Sequence, residues 1–288
     1  NNNTLQGCYI GTDANGDSAI PNAATIYHTA VWCSGNNNLI GGSVAGAGNV
    51  VSGNNHYGIF VGYTNATGNT VQGNLIGTDA DGVTAMGNRL EGVFLDGPGN
   101  LVGGSTPAAR NVIAASLEED GIEITNTANV VTGNYIGTNI TGTAALANKK
   151  TGIFVNNTSN AQIGGSAAGA GNLISGNLSD GVLISGASSS TTKIQGNIIG
   201  LNAAGAAKIS NVGWGVHFLN AGSAGHLVGC NADGISDAAE RNVISGNGFG
   251  SSTSYDGVGI IGTSNVVVAG NYVGTDITGS SALGNAFA

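Results

Sequence analysis

The sequence predicts an all-β fold, a single-stranded, right-handed parallel β-helix of about eight to nine coils, formed by one domain over residues 1–288. Three observations predict it. Glycine supplies 52 residues and proline 3; only 8% of residues are charged although 41% are hydrophobic; and short motifs return along the whole chain. Apolar surface is therefore available to bury and no charge block repels itself, which argues against disorder.

Two repeat units alternate along the chain. The first reads Gly-Asn-x-Ile-Gly-Thr-Asp, with copies at 7–13, 73–79, 133–139, 196–202 and 270–276. The second reads Ile-Gly-Gly, a loop of small residues and Asn-Val-Ile-Ser-Gly-Asn, with copies at 40–54, 102–116, 163–177 and 228–247. Each unit returns after roughly 60 to 70 residues, and such a fixed period indicates a solenoid.

A third motif, glycine followed by apolar, variable and apolar residues, marks each coil. Its copies are mostly about 30 residues apart, a typical solenoid period, and lie at 58–61, 92–95, 121–124, 152–155, 181–184, 215–218 and 257–260. Each coil then holds three short strands, such as Gly121 to Ile124, Val130 to Thr132 and Tyr135 to Ile136. Coils stacked about 4.8 Å apart would align their inward side chains in a continuous core.

Glycine and asparagine fit the corners between these strands, because both tolerate a positive φ better than most residues. The first repeat unit places Asn74, Asn134, Asn197 and Asn271 at equivalent corners. Their side chains are expected to hydrogen-bond from coil to coil as a ladder. Most asparagines are therefore interpreted as structural.

These motifs resemble the parallel β-helix repeats of the pectin lyase-like superfamily, in the form found in large bacterial secreted and cell-surface proteins. The resemblance rests on the pattern G-x-x-I-x-x-x-x-x-N-x-I-x-G-N-x-I and covers essentially the whole chain. It implies the fold and an extracellular location, secreted or at the cell surface. It does not choose among lyases, hydrolases, epimerases, tailspikes and adhesins, because function on a shared fold resides in sites.

In that superfamily the outward face of the first sheet, built from the strands of the third motif, commonly forms a polysaccharide cleft. Carried onto this chain, the resemblance implies a ligand-binding face made of Phe60, Phe94, Glu123, Phe154 and His217, accompanied by Leu183 and Gly259, with Tyr27 before them. Stacking on sugar rings, contact with another protein, and cover by long loops are three interpretations left open for these aromatic residues.

A glycosidase on this scaffold needs two carboxyl groups at a fixed separation. The acidic group Glu118, Glu119, Asp120 and Glu123 offers the catalytic candidates, with Glu91 and Asp96 one coil before it and Asp180 two coils after it. Solvated loop acids are the alternative interpretation. The Asp-Asp, Gly-His-Gly and Arg-x-Lys motifs of polygalacturonase-like enzymes are absent, as are lyase and epimerase motifs. The four histidines fall in separate coils, so they predict no zinc site.

Calcium is the cofactor that the sequence suggests, because Asp13, Asn15 and Asp17 offer hard oxygen ligands within one turn. A second, less complete candidate is the loop from Asn231 to Asp237. Equivalent turns elsewhere keep fewer acids, which indicates that the turn shape is the common requirement. The cysteines have no C-x-x-C spacing; buried or stacked thiols and a disulfide between Cys8 and Cys33 are both left open.

A net charge of −9 disfavours nucleic acid and anionic membranes as partners, and no run approaches the roughly 20 apolar residues of a membrane span. Both chain ends lie within coils and lack caps, which predicts a segment of a longer chain or self-association through coil ends. The preferred function is an extracellular structural or adhesive module, assembling head to tail into filaments or forming part of a large surface protein, without catalysis. The alternative is a polysaccharide lyase, glycoside hydrolase or polysaccharide-binding module that uses the first-sheet face.

Overall fold

The computed structural model describes residues 1–22, 29–63, 66–249 and 255–287. Three parallel sheets run along this part of the chain, and successive strands enter the first, second and third sheet in turn. The first sheet has eight described strands and the other two have nine each. The predicted right-handed parallel β-helix of eight to nine coils is confirmed.

The strands are two to four residues long. The first sheet consists of Val31–Cys33, Ile59–Val61, Val93–Leu95, Ile122–Ile124, Ile153–Asn156, Val182–Ser185, Val216–Leu219 and Val258–Ile261. The second consists of Thr4–Leu5, Leu39–Gly41, Thr70–Gln72, Leu101–Gly103, Val130–Thr132, Gln162–Gly164, Lys193–Gln195, His226–Gly229 and Val266–Ala269. The third consists of Tyr9–Ile10, Val50–Val51, Leu75–Ile76, Val112–Ile113, Tyr135–Ile136, Leu173–Ile174, Ile198–Ile199, Val243–Ile244 and Tyr272–Val273.

Helical structure is confined to a 3₁₀ turn at Pro107–Ala109 and a short helix at Asp237–Glu240, as far as the described residues go. Both lie in loops between the second and third sheets. In the same residues, no helix has the length and apolar character that crossing a membrane requires.

The core consists of aliphatic side chains stacked in rows, one per coil. Ile122 pairs in register with Val93 on one side and Ile153 on the other, and all three side chains are fully buried. Strands this short cannot bury a hydrophobic face alone, so each coil depends on its neighbours for its core.

Asparagines form a hydrogen-bonded ladder at the corner between the second and third sheets. Asn134 donates through Nδ2 to Oδ1 of Asn172 at 3.1 Å and accepts from Nδ2 of Asn111 at 2.9 Å. The ladder joins Asn49, Asn74, Asn111, Asn134, Asn172, Asn197, Asn242 and Asn271. The predicted members are therefore confirmed, and asparagines of the second repeat unit alternate with them.

One glycine of the Ile-Gly-Gly motif illustrates why the motif recurs. Gly103 has a φ of +93°, and a Cβ atom there would lie 1.9 Å from the carbonyl oxygen of Thr132 in the next coil. A side chain would therefore collide with backbone that cannot retreat without breaking the stacking of the coils.

Replacing Asn134 with alanine is expected to lower the free energy of unfolding by about 1–3 kcal/mol, because buried partners in neighbouring coils lose their hydrogen bonds. Denaturant titration would measure the change. Asn15→Ala is the control, since Asn15 is exposed and its loss should change stability by less than about 0.5 kcal/mol. Equal effects of the two substitutions would contradict a structural role for the ladder.

Candidate functional site on the first-sheet face

Two rows of side chains line the outward side of the first sheet, and together they are called the first-sheet face. The strand register places one row at Trp32, Phe60, Phe94, Glu123, Phe154, Leu183, His217 and Gly259. The other row occupies the corner three positions earlier, at Tyr57, Glu91, Asp120, Thr151, Asp180, Trp214 and Asp256.

The structure thus brings all the predicted face residues into one row, and their role in ligand binding stays a prediction. Tyr27 lies outside the described residues. Trp32 was not predicted, because Ala30 stands where the other strands have the marker glycine. The apolar, variable, apolar order of Val31–Cys33 was the remaining signal that could have found it.

Aromatic rings cover the N-terminal part of the face. The ring centroid of Phe60 lies 5.0 Å from that of Trp32 and 5.5 Å from that of Phe94, and Tyr57 lies 5.1 Å from Phe94. Neighbouring rings leave Phe60 only 9% exposed, whereas Trp32 is 53% and Tyr63 56% exposed. Phe60 is therefore covered by neighbouring rings, and Trp32 and Tyr63 supply the accessible aromatic surface.

Carboxyl groups meet in the next two coils. One oxygen each of Glu91, Glu119 and Asp120 lies within 4.8 Å of the others, which is close enough for the three to share a metal ion. Glu91 and Asp120 are buried, and Oε2 of Glu91 has no hydrogen-bond partner among the described residues. Lys150 contacts the carboxylate of Glu119. These three acidic residues and the neighbouring Glu123 are together called the acid cluster. It holds more carboxyl groups than its one paired cation can neutralise.

Burial determines whether the carboxyl groups of Glu91 and Asp120 are protonated. Burial raises the pKa of Glu91 to about 9, and the neighbouring Glu123 and Glu119 also raise it. Burial raises the pKa of Asp120 to about 7, against a backbone hydrogen bond from Thr151 that lowers it. Glu91 therefore keeps its proton at neutral pH, whereas Asp120 exchanges its proton with solvent in the neutral range.

The predicted catalytic group is divided by the structure. Glu119, Asp120 and Glu123 adjoin Glu91, whereas Glu118 is exposed and forms an ion pair with Arg89 at 2.9 Å. Glu123 lies in the outward row, and its Oε1 accepts a hydrogen bond from Asn156 at 2.8 Å. Of the cluster, Glu119 and Glu123 are the members accessible to a ligand. A catalytic role for the group stays a prediction.

His217 belongs to a second cluster further along the face. Its Nδ1 lies 2.9 Å from Oδ2 of Asp180, and the Trp214 ring covers it with a centroid separation of 4.0 Å. His217 is itself buried. Trp214 belongs to the corner row and its ring lies over His217, so Trp214 forms the accessible surface here.

The turn predicted to bind calcium is a hairpin closed by Asp13. Its Oδ1 accepts hydrogen bonds from backbone N–H groups of the turn at 2.9 Å and 3.1 Å. Asn139 and Asn202 make equivalent bonds in their own hairpins. An amide oxygen therefore closes this turn as well as a carboxylate does, while calcium binding by Asp13, Asn15 and Asp17 stays a prediction.

All three cysteine thiols are unpaired. Cys33 points into the core of the first sheet, where it accepts a hydrogen bond from Asn38, and Cys8 lies beside the third sheet, where its thiol contacts the carbonyl oxygen of Gln6. The alternative of a disulfide between Cys8 and Cys33 is wrong. The expectation of buried thiols holds for Cys33, whereas Cys8 and Cys230 are partly exposed.

Apolar side chains are exposed at the last described coil. Ile260, Val268 and Val273 align with the core rows of the preceding coil, yet each is more than 40% exposed. Self-association through the coil ends stays a prediction.

The chain matches no protein-family model and no curated protein sequence. Among solved structures it is similar to two mutants of the periplasmic alginate epimerase AlgG, each at 12% identity over 91% of this chain and 67% of the epimerase, with TM-scores of 0.43 and 0.38. The fluoroquinolone resistance protein QnrB1 aligns at 11% identity over 83% of this chain and 91% of its own, with a TM-score of 0.17. With TM-scores below 0.5, these similarities support no argument about the role of this chain or of its acid cluster.

Stability is expected to fall as the pH rises. A carboxyl group with a raised pKa in the folded chain binds more protons when folded than when unfolded, so raising the pH favours unfolding. The loss begins near the ordinary values of 3.8 and 4.5 and continues through about 7 for Asp120 and about 9 for Glu91. Denaturant titrations should show a decrease of more than about 1 kcal/mol between about pH 5 and about pH 8.

The Glu91→Gln variant tests the role of Glu91 in this pH dependence. Its amide side chain has the shape of the protonated glutamic acid but does not titrate. The variant should therefore show a flatter dependence of stability on pH and exceed the wild type at the alkaline end. Glu118→Gln is the matched control, because Glu118 is exposed and should leave the slope unchanged. A wild-type slope in the Glu91→Gln variant would refute the assignment.

Proposed function

We propose that this protein is an exported β-helix whose first-sheet face binds a neutral polysaccharide without cleaving it. The observation that carries the proposal is the register of the face, in which every coil holds at least one ring or carboxyl group along eight strands. Coils about 4.8 Å apart have nearly the spacing of successive sugar residues, so a linear glycan can meet an equivalent position at each coil.

Aromatic residues supply the apolar part of such a site. Trp32 and Tyr63 are more than half exposed, and their ring centroids lie 5.6 Å apart, so they form one continuous platform. Phe94 and Phe154 are half-buried further along the same row. Ligand sites commonly combine apolar rings of this kind with a few polar groups that fix orientation.

The charges of the face favour a neutral glycan over a polyuronate. Glu119 and Glu123 are the accessible members of the acid cluster, and the one lysine that contacts the cluster, Lys150, is already paired with Glu119. A uronate chain would bring further carboxylates beside these groups, and like charges at close range disfavour binding. Neutral hydroxyl groups can instead hydrogen-bond to the carboxyl oxygens.

Burial argues against cleavage by the acid cluster. A general acid must come within hydrogen-bond distance of the glycosidic oxygen, but Glu91 and Asp120 are 4% and 5% exposed. The two carboxyl groups with raised pKa values therefore lie beneath the surface that a glycan would touch. Holding a polysaccharide without cutting it agrees with an adhesive role, which is the form of the structural function that we propose.

Binding would be tested by affinity electrophoresis in gels that contain a neutral glucan, a neutral mannan, polygalacturonate or alginate. We expect a neutral polysaccharide to retard the protein and the two polyuronates to leave it unretarded. Trp32→Ala should weaken retardation about 5- to 10-fold through loss of ring stacking. Tyr9→Ala is the matched control, because Tyr9 is similarly exposed, at 49%, but lies on the third sheet.

Three results would overturn the proposal. They are stronger retardation by the polyuronates, equal behaviour of the two alanine variants, and an absence of retardation by every neutral glycan in the panel. Release of reducing ends from the bound polysaccharide would refute the non-catalytic part of the proposal alone.

A further inference from the structure

One loop between the second and third sheets differs from its equivalents. The three shorter copies run from Gly42 to Asn49, from Gly104 to Asn111 and from Gly165 to Asn172. In the fourth copy Cys230 replaces the glycine, and the equivalent asparagine, Asn242, follows twelve positions later instead of seven. The longer loop contains the short helix Asp237–Glu240.

This helix directs two carboxylates toward the thiol. Asp237 and Glu240 are three positions apart, so they lie on the same side of the helical turn. One ligand atom each of Cys230, Asp237 and Glu240 lies within 4.8 Å of the other two. Glu240 is 6% exposed, and Oδ1 of Asp237 is buried without a hydrogen-bond partner in the part of the chain that the structure describes.

Backbone groups hold two of these side chains in place. Oε2 of Glu240 accepts a hydrogen bond from the N–H of Asn231 at 2.9 Å, and Sγ of Cys230 accepts one from the N–H of Ala232 at 3.2 Å. These bonds leave lone pairs on both groups that can face a shared ion. The group is therefore partly preorganised.

The cation nearest in sequence is engaged elsewhere. Arg241 donates through Nε to the carbonyl oxygen of Gly270 at 2.8 Å, and its guanidinium lies 4.2 Å from the ring centroid of Tyr272. No salt bridge to Asp237 or Glu240 occurs within the described ranges. Two neighbouring carboxylates therefore lack a compensating positive charge.

We propose that Cys230, Asp237 and Glu240 bind a Zn²⁺ ion, with water completing the coordination. Zn²⁺ accepts thiolate sulfur at about 2.3 Å and carboxylate oxygen at about 2.0–2.2 Å, so small side-chain movements bring the three atoms onto one ion. A thiolate ligand disfavours Ca²⁺ and Mg²⁺, which take oxygen ligands. On binding, the S–H bond of Cys230 breaks, a sulfur–zinc bond forms and the proton passes to solvent.

The ion would tie the loop helix to the end of the strand His226–Gly229.

Co²⁺ titration of the reduced full-length chain tests the site, because a cobalt–thiolate bond gives a near-ultraviolet charge-transfer band. We expect the band to saturate at one Co²⁺ per chain and to disappear when Zn²⁺, but not Ca²⁺, is added. Cys230→Ser should abolish the band, whereas Cys8→Ser, which alters another partly exposed thiol, should retain it. Asp237→Asn and Glu240→Gln should each weaken Co²⁺ binding at least about 10-fold.

Circular dichroism of each variant would confirm that the β-helix is intact, and the Asn and Gln variants keep the size of the side chains they replace. An absent band in the wild type would overturn the proposal. So would a band that persists in Cys230→Ser, is lost in Cys8→Ser, or is unaffected by both Asp237→Asn and Glu240→Gln.

Discussion

In-register stacking of very short strands is the constraint on which the rest of this molecule depends. Strands of two to four residues satisfy their backbone and bury their side chains only through the coils on either side. Equivalent residues therefore stand above one another about 4.8 Å apart. Aliphatic side chains and amides gain from this arrangement, whereas like charges at that distance repel by about 1 kcal/mol in water and more when buried. The charged fraction of 8% is thus a consequence of the fold.

The acid cluster is a local exception to that constraint. Glu91 and Asp120 occupy the same row in adjacent coils, where two ionised carboxylates would repel. Burial raises the pKa of both groups and keeps the proton on Glu91 at neutral pH. Thr151 interrupts the row before Asp180, so the conflict does not spread along the face. Exceptions of this kind are expected where a surface serves a purpose other than stability, and this one adjoins the aromatic platform.

The fold and most of the face could be predicted because stacked coils place equivalent residues at a nearly constant spacing in the sequence. Glycine at the corner and apolar residues at alternate positions identified Phe94 and Phe154 in their row, and the ladder asparagines followed from the same spacing. The burial of Phe60 and His217 was not predicted, because the side chains that cover them lie in the corner row, three positions before each outward residue. Trp214 lies over His217, and Tyr57 packs among the rings around Phe60. The alternation of apolar and variable residues within a strand does not indicate these contacts, because the covering residue lies outside the strand.

The group around Cys230 was predicted only in part, because the sequence suggests the loop from Asn231 to Asp237 as a calcium candidate. The members of the group are separated along an irregular loop and match no C-x-x-C spacing, so the sequence does not indicate that they meet. The β-helix tolerates this longer loop because the residues after the loop resume their pairing with the neighbouring coils in the same register. Asn242 still donates to Asn271, and Val243 still pairs with Ile198 and Tyr272. A loop that returns to the same register can change its chemistry without disturbing the coils. The Cys230 group at the corner and the first-sheet face are therefore free to vary independently, with the stacked core between them unchanged.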